Sequence, residues 1–198
     1  MEFRDVVRRR KMVRTYQDRV VEPEVVERIL DRGRRVPSAG YTQGFAFLLL
    51  QGPEETEAFW RAVTHEDEEW TNEGVRRAPV ILVPLASKHA YLDRYAEDDK
   101  GWADRDDDRW PVPYWLVDAS FASLLVLLGA VDEGLGALFF GLDRSGYERL
   151  RAAFGVPDEW APIGVIALGH PTEVDTVRSS RDTRPRKPLD EVVHRGRW

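Results

Sequence analysis

The chain has 198 residues, 42% hydrophobic and 32% charged, with a formal net charge of −6; this composition fits one globular domain and excludes a disordered chain. It has no cysteine, which removes disulfides, thiol nucleophiles, iron–sulfur clusters and cysteine-based zinc sites together. Net acidity argues against a nucleic-acid-binding domain, and the charged start, Met1 to Asp5, lacks the apolar core of a signal peptide, so cytoplasmic residence is expected.

Glu2 to Lys11 reads as a short helix with Phe3, Val6 and Val7 on one side. Pro23 suits the first turn of a second helix, whose stripe Val25, Val26, Ile29, Leu30 and Val36 ends at Pro37. Phe45 to Leu50 is an apolar run of strand length, Pro53 to Val63 a helix, and Val80 to Leu85 a second buried strand. From Ala90 to Arg109 the chain turns polar, aromatic and acidic, which predicts an excursion over the surface, lid-like over about 90–112. Pro113 to Glu133 is the longest helical candidate. It is apolar nearly all round, which places it at the centre of the fold or in a subunit interface. Its apolar part, Trp115 to Val131, is short for a bilayer and carries Asp118, Ser120 and Ser123, so a core helix is expected and no membrane span. Gly134 and Gly136 can end it. Leu138 to Gly141 follows as a strand, Ser145 to Phe154 as a helix and Pro162 to Gly169 as a strand. The tail, residues 171–198, is rich in Arg and Pro and too poor in apolar residues to fold alone. No repeat or linker interrupts the chain, and the alternation of helices and strands predicts one α+β or α/β domain.

Two basic clusters frame this acidic chain, Arg10-Lys11-Met12-Val13-Arg14 and Arg184-Pro185-Arg186-Lys187-Pro188. Together they suit a small, doubly charged ligand such as a phosphate ester, which arginine grips with paired hydrogen bonds. Taken singly, the first reads as a solvated helix face and the second as a disordered basic end. Ser38 lies in the turn Pro37-Ser38-Ala39-Gly40-Tyr41-Thr42-Gln43 with no Gly-x-Ser-x-Gly elbow, so a turn role is expected. Gly134 and Gly136 follow a helix and lack a third glycine, which excludes a dinucleotide fingerprint. His65, His89, His170 and His194 have no metal-ligand spacing. Asp104, Asp106, Asp107 and Asp108 are interrupted by Arg105 and flanked by Arg109, a solvated acidic loop, so no metal is expected. Tyr91, Tyr95, Trp102, Trp110, Tyr114 and Trp115 crowd one polar stretch. They are either a lid that stacks on a planar substrate or a plug against the body or a partner subunit. Trp102 and Trp110, with charges around them, are the better lid candidates.

The succession of motifs resembles the nitroreductase-like FMN-dependent flavoproteins. Members open with a short helix and Arg-Arg-Ser-x-Arg-x-Phe/Tyr, matched by Arg10-Lys11-Met12-Val13-Arg14-Thr15-Tyr16. A helix ending Pro-Ser-x-x-Asn-x-Gln-Pro-Trp is matched by Pro37 to Phe45. A long apolar helix, a Gly-Leu-Gly turn, a strand ending Gly-Tyr/His-Pro and a segment of Arg-Lys-Pro-Leu type correspond to Trp115 to Val131, Gly134-Leu135-Gly136, Leu168-Gly169-His170-Pro171 and Arg186-Lys187-Pro188-Leu189. Three positions depart from the pattern: Met12 for Ser, Tyr41 for Asn and Gly44 for Pro.

The resemblance implies an α+β fold, a mostly antiparallel central sheet flanked by helices, with a C-terminal extension reaching the partner of a homodimer. It implies that Arg10 and Lys11 contact the FMN phosphate and ribityl chain, with Met12 in the same segment, and that Arg186 and Lys187 complete the phosphate site. Arg14 would lie near the flavin N1 and C2 carbonyl. Pro37, Ser38 and Ala39, in one turn with Gln43, would approach the flavin from the partner subunit. The backbone at Phe140 and Gly141 would face the flavin's N5–O4 edge, with Tyr41, Trp102 and Trp110 on the substrate side. The implied activity is NADH- or NADPH-dependent reduction of planar acceptors, nitroaromatics or quinones, by a ping-pong mechanism. Alternatives are a relative that fragments reduced flavin to make dimethylbenzimidazole and a non-catalytic flavin- or nucleotide-binding protein.

Overall fold

The computed structural model describes residues 1–64, 73–173 and 183–198. Its centre is an antiparallel sheet built on β2, Val80–Ala86, whose seven residues are all buried. A strand buried on both faces needs an unbroken apolar run, and Val-Ile-Leu-Val-Pro-Leu-Ala supplies one. β1 (Phe45–Gln51) pairs along its whole length with β2. β5 (Val165–Gly169) pairs on the other side, and β3 (Gly136–Phe140) completes the order β1-β2-β5-β3, with the two-residue β4 (Ala161–Pro162) also on β2.

The alternation of side chains along each strand sorts the core into two layers. Ile81, Val83, Leu85, Leu138, Val165 and Ala167 meet Phe59, Trp60 and Val63 of α3 (Pro53–Val63) and Leu150 of α7 (Arg144–Phe154). Val80, Leu82, Ala137, Ile166 and Leu168 meet Val26 and Ile29 of α2 (Pro23–Gly33) and Val126, Leu127 and Ala130 of α6 (Tyr114–Asp132). Burying each such branched side chain contributes about 1.5–3 kcal/mol. This is the α+β architecture expected, a sheet flanked by helices.

Three local expectations are corrected. The strand expected over Pro162 to Gly169 is broken, because two residues of β2, Val83 and Pro84, stand opposite three, Ile163, Gly164 and Val165. Pro84 has no N–H to extend the ladder, its carbonyl accepts from the Ile163 N–H at 3.0 Å, and the extra residue makes a bulge. Gly164 is required there, since a Cβ would come within 2.2 Å of the Phe139 ring. The polar excursion opens as a helix, α5 (Lys88–Ala96), which Ser87 caps by accepting from the Ala90 N–H at 3.2 Å. Its polar composition concealed it, as brevity concealed α4 (Glu73–Arg76). The first helix, α1 (Phe3–Arg9), stops before Arg10, which turns extended.

α6 is long and apolar enough to cross a bilayer by length and composition, yet 44% of that stretch is buried inside the fold. Its C-terminal end is tied to α2, where Arg28 and Arg32 reach Glu133, each at 2.7 Å. The Arg28 guanidinium, seconded by Arg32, holds the Glu133 carboxyl down at about 2, against partial burial that works the other way. A depressed folded-state value means stability present above the unfolded value near 4.5 and lost as the pH falls toward 2. Arg28 is half exposed, so screening holds the contribution to about 1 kcal/mol. Glu133→Gln is therefore expected to lower stability by that amount at pH 7 and to flatten its acid dependence, as followed by urea unfolding between pH 2 and pH 7.

Candidate functional site

Residues 10–14 leave α1 as an extended segment laid against β3. The Val13 N–H donates to the Ala137 carbonyl at 3.0 Å, and the Phe139 N–H makes a long contact of 3.5 Å with the Met12 sulfur. Met12 thus replaces a hydroxyl with a thioether that packs into both core layers. Met12 and the buried Val13 both pack inward, so the segment does not alternate like a regular strand. Arg10 and Arg14 are half-buried. Lys11 is exposed and lines, with Arg9, Val13, Val131 and Gly134, a cavity of about 200 Å³ at the C-terminal end of α6. Gly136 is needed for this approach, since a Cβ there would meet Val13 at 2.7 Å, while Gly134, at φ +76°, ends the helix. β3 delivers Phe140 and Gly141 beside the segment. The Phe140 ring stacks on Trp60, whereas a Cβ on exposed Gly141 would meet, among the described residues, only the Tyr147 hydroxyl, at 3.7 Å. The backbone there is open to a ligand.

The turn after α2 is a tight left-handed device. Gly40, Tyr41 and Gln43 have φ of +61°, +54° and +54°, a region that glycine enters freely, asparagine tolerates and a bulky side chain enters only with strain. Side chains fasten it from several sides. The Ser38 hydroxyl accepts from the Gln43 N–H at 2.9 Å, and the Thr42 hydroxyl donates to the Ala39 carbonyl at 2.6 Å. Arg94 of α5 donates to the Gly40 carbonyl at 3.1 Å. One carboxylate oxygen of Asp118, on α6, accepts from the Ala39 N–H at 2.8 Å and from the Tyr91 hydroxyl at 2.7 Å. Burial, then the Asp118 carboxylate, push the Tyr91 hydroxyl far above the usual phenol value, so it remains a donor across the working pH range. Tyr41 emerges 75% exposed, and Pro37 and Gln43 are also exposed.

Asp118 and Tyr91 were not among the expected site residues. The signal for Asp118 is a lone acid inside Trp115 to Val131, and for Tyr91 its place in the crowd of aromatics from Tyr91 to Trp115, which does not single it out. Tyr91 also explains why glycine stands at 44, because a Cβ there would lie 2.5 Å from its ring. Gly44→Ala is expected to cost about 1–3 kcal/mol and to shift the turn, with a lower urea midpoint as the measurement.

Trp102 and Trp110 are half-buried and pack into the body. Trp110 contacts Tyr91, Tyr95, Trp102, Tyr114 and Trp115 with ring centroids 4.5–6.1 Å apart, and Arg109 lies over Trp102. The acidic loop pairs internally, Asp104 with Arg109, Asp107 with Lys88, and Asp93 of α5 with Arg105. Arg186 and Lys187 are exposed in the tail. His65 and residues 174–182 of the tail lie outside the described residues.

The structure therefore lays Met12 and Val13 of the basic segment against β3 and holds the Ser38 to Gln43 turn on α6. The turn is tied to α6 at Asp118, while the basic segment reaches the same helix near Val131. Those two positions are about 20 Å apart at 1.5 Å per residue.

The sequence model of the Nitroreductase family matches residues 7–170. The chain belongs to the nitroreductase family. A relative from Methanothermobacter thermautotrophicus that carries the name NADH dehydrogenase/NAD(P)H nitroreductase is 29% identical over 202 residues, covering 100% of this chain and 88% of its own. Among solved structures, a nitroreductase family protein from Clostridium difficile superposes with a TM-score of 0.72 at 22% identity and complete coverage of both chains. A nitroreductase from Exiguobacterium sibiricum, crystallised in complex with FMN, superposes at 0.73 and 18% identity, covering 98% of this chain and 97% of its own. The fold is that of the nitroreductase family, whose named relatives include NAD(P)H nitroreductases and NADPH-dependent oxidoreductases. Within this family, Gly44 for Pro is explained by the packing of Tyr91, and Tyr41 for Asn places a strained residue where the turn is most exposed.

Proposed function

We propose that the protein is a homodimeric FMN-dependent oxidoreductase that takes hydride from NADH or NADPH and passes electrons to planar acceptors, nitroaromatics or quinones. The observation that carries this reading is the segment of half-buried Arg10 and Arg14 laid, at Met12 and Val13, against the strand that leads into exposed Gly141, in a nitroreductase fold. The donor set fits FMN: guanidinium groups for a dianionic phosphate, a further cation for the ring system, and main-chain groups with no side chain in the way. FMN, when bound, supplies hydride acceptance and onward electron transfer, so the protein needs no nucleophile of its own. Arg10, with Arg186 and Lys187 of the tail, binds the phosphate, and Arg14 offers its charge to the ring edge. Lys11, exposed at the cavity by the end of α6, contributes long-range positive charge. Donor and acceptor use one face in turn, which makes the kinetics ping-pong, and cytoplasmic residence fits that substrate supply.

The separation along α6 supports the dimer. The turn of Pro37, Ser38, Ala39 and Gln43 meets α6 about 20 Å from the place where Lys11 meets it, which favours a role for the turn in the partner's site. Phe121 and Leu124 of α6 and Leu189 and Val192 of the tail are exposed apolar residues that a second chain would bury. The purified protein is expected to be yellow, with one FMN per chain, bleached by NADH or NADPH and recoloured by a nitroaromatic or quinone. Colourless protein that fails to bind added FMN overturns the reading; light scattering at the mass of one 22.8 kDa chain with flavin bound overturns the dimer. Tyr41 in place of Asn favours the flavin-fragmenting alternative, which oxygen uptake with permanent loss of the flavin spectrum would identify.

A further inference from the structure

We infer that Asp118 is a positioning residue: its carboxylate, with Tyr91, latches the left-handed Ser38 to Gln43 turn in the shape that presents Tyr41 to the acceptor side of the site. The part of this that concerns the acceptor rests on the function proposed above; the latch itself does not.

Asp118 is only 3% exposed, and a carboxylate is rarely kept so far from water unless strong hydrogen bonds repay its desolvation. One of its oxygens takes two donors, the Ala39 N–H at 2.8 Å and the Tyr91 hydroxyl at 2.7 Å. Bonds to a charged acceptor are roughly twice as strong as neutral ones. The partners are not incidental, because both lie at the turn. Ala39 is its first residue after Ser38, and Tyr91 packs its ring over Gly44, where the turn passes into β1. The latch acts on a segment that would otherwise relax: Tyr41 and Gln43, neither of them glycine, both hold positive φ. Such strain persists only where surrounding contacts over-determine the backbone, and it concentrates at sites that bind.

The rest of the 88–115 stretch completes the support. Tyr95 packs beneath Gly40, where a Cβ would meet its ring at 2.7 Å, and Arg94 holds the Gly40 carbonyl. Trp110 in turn sits edge-on to Tyr91 and Tyr95. The aromatic segment thus serves the site from below, as a brace under the turn that carries Tyr41.

The test compares Asp118→Ala, Asp118→Asn and Tyr91→Phe in the full-length protein. The Asn amide oxygen can take the place of the doubly accepting carboxylate oxygen, so this variant keeps the geometry without the charge. Hydrogen exchange read by mass spectrometry over residues 38–43 is expected to speed up about tenfold or more in Asp118→Ala, by less in Tyr91→Phe, and to stay within about threefold of wild type in Asp118→Asn. On the FMN-loaded dimer, the KM for a nitroaromatic or quinone acceptor is expected to rise about tenfold in Asp118→Ala and to recover in Asp118→Asn, with FMN affinity changed much less. Unchanged exchange at 38–43 in both Asp118→Ala and Tyr91→Phe overturns the latch. Faster exchange with an unaltered acceptor KM overturns its role toward the acceptor. If Asp118→Ala does not fold, Tyr91→Phe, which removes one hydroxyl and keeps the ring, decides the same point. Should wild type bind no FMN, the exchange result still tests the latch while the proposed function alone fails.

Discussion

Arg14→Gln is expected to retain most of the bound FMN yet accept hydride from NADH or NADPH ten- to a hundredfold more slowly, at a lowered reduction potential. The reasoning separates two kinds of cation. In the proposed function Arg10 and Arg186 answer the phosphate, whose charge is the same before and after reduction, so they would contribute affinity without favouring either state. Arg14 is half-buried in the same segment as Arg10 and, in the proposed function, is assigned to the ring edge that becomes negative on reduction. A contact stronger in the charged state favours that state, and only such differential contacts accelerate the chemical step. Losing one preorganised charge contact at a reacting centre costs roughly 3–4 kcal/mol; an edge open to water reduces this, hence the lower bound. Arg186→Ala should behave oppositely, releasing FMN while turning over at a near-normal rate when FMN is in excess. Stopped-flow reduction of both variants saturated with FMN separates the two roles, and a wild-type rate and potential in Arg14→Gln would remove the assignment.

Trp110→Ala is expected to lower stability by about 3 kcal/mol or more, and Trp102→Ala by about 1 kcal/mol. The difference lies in the contacts. Trp110 meets five aromatic neighbours, two of which, Tyr91 and Tyr95, hold the turn. Trp102 meets Tyr95, Trp110 and the guanidinium of Arg109 at the rim. Removing Trp110 leaves a void between α5 and the start of α6 that rigid rings cannot close. Urea unfolding measures the difference directly. Equal, small stability losses in the two variants, accompanied by a change in acceptor preference alone, would restore Trp102 and Trp110 to the role of a lid.

The local pattern of the chain was enough for every element that carries its own signal. β2 is a continuous apolar run because it is buried on both faces, α3 begins at Pro53 where its first turn needs no N–H, and α6 is apolar over its whole length. The ordered succession of weak motifs, from Arg10 to Leu189, likewise identified the family, since each motif is a short backbone device with its own residue requirements. What required the tertiary structure was set by residues distant in sequence. The strand after Pro162 breaks because Pro84 lies opposite, α5 is held by contacts its polar composition does not announce, and glycine stands at 44 because Tyr91 fills the space above it. The candidate site shows the same division. Its cations were legible as charge, but the roughly 20 Å along α6 between the contact of Lys11 and that of the turn was not, nor was the role of Asp118. A carboxylate in an apolar helix reads locally as an interruption; only packing shows that it receives the backbone of one distant segment and the hydroxyl of another.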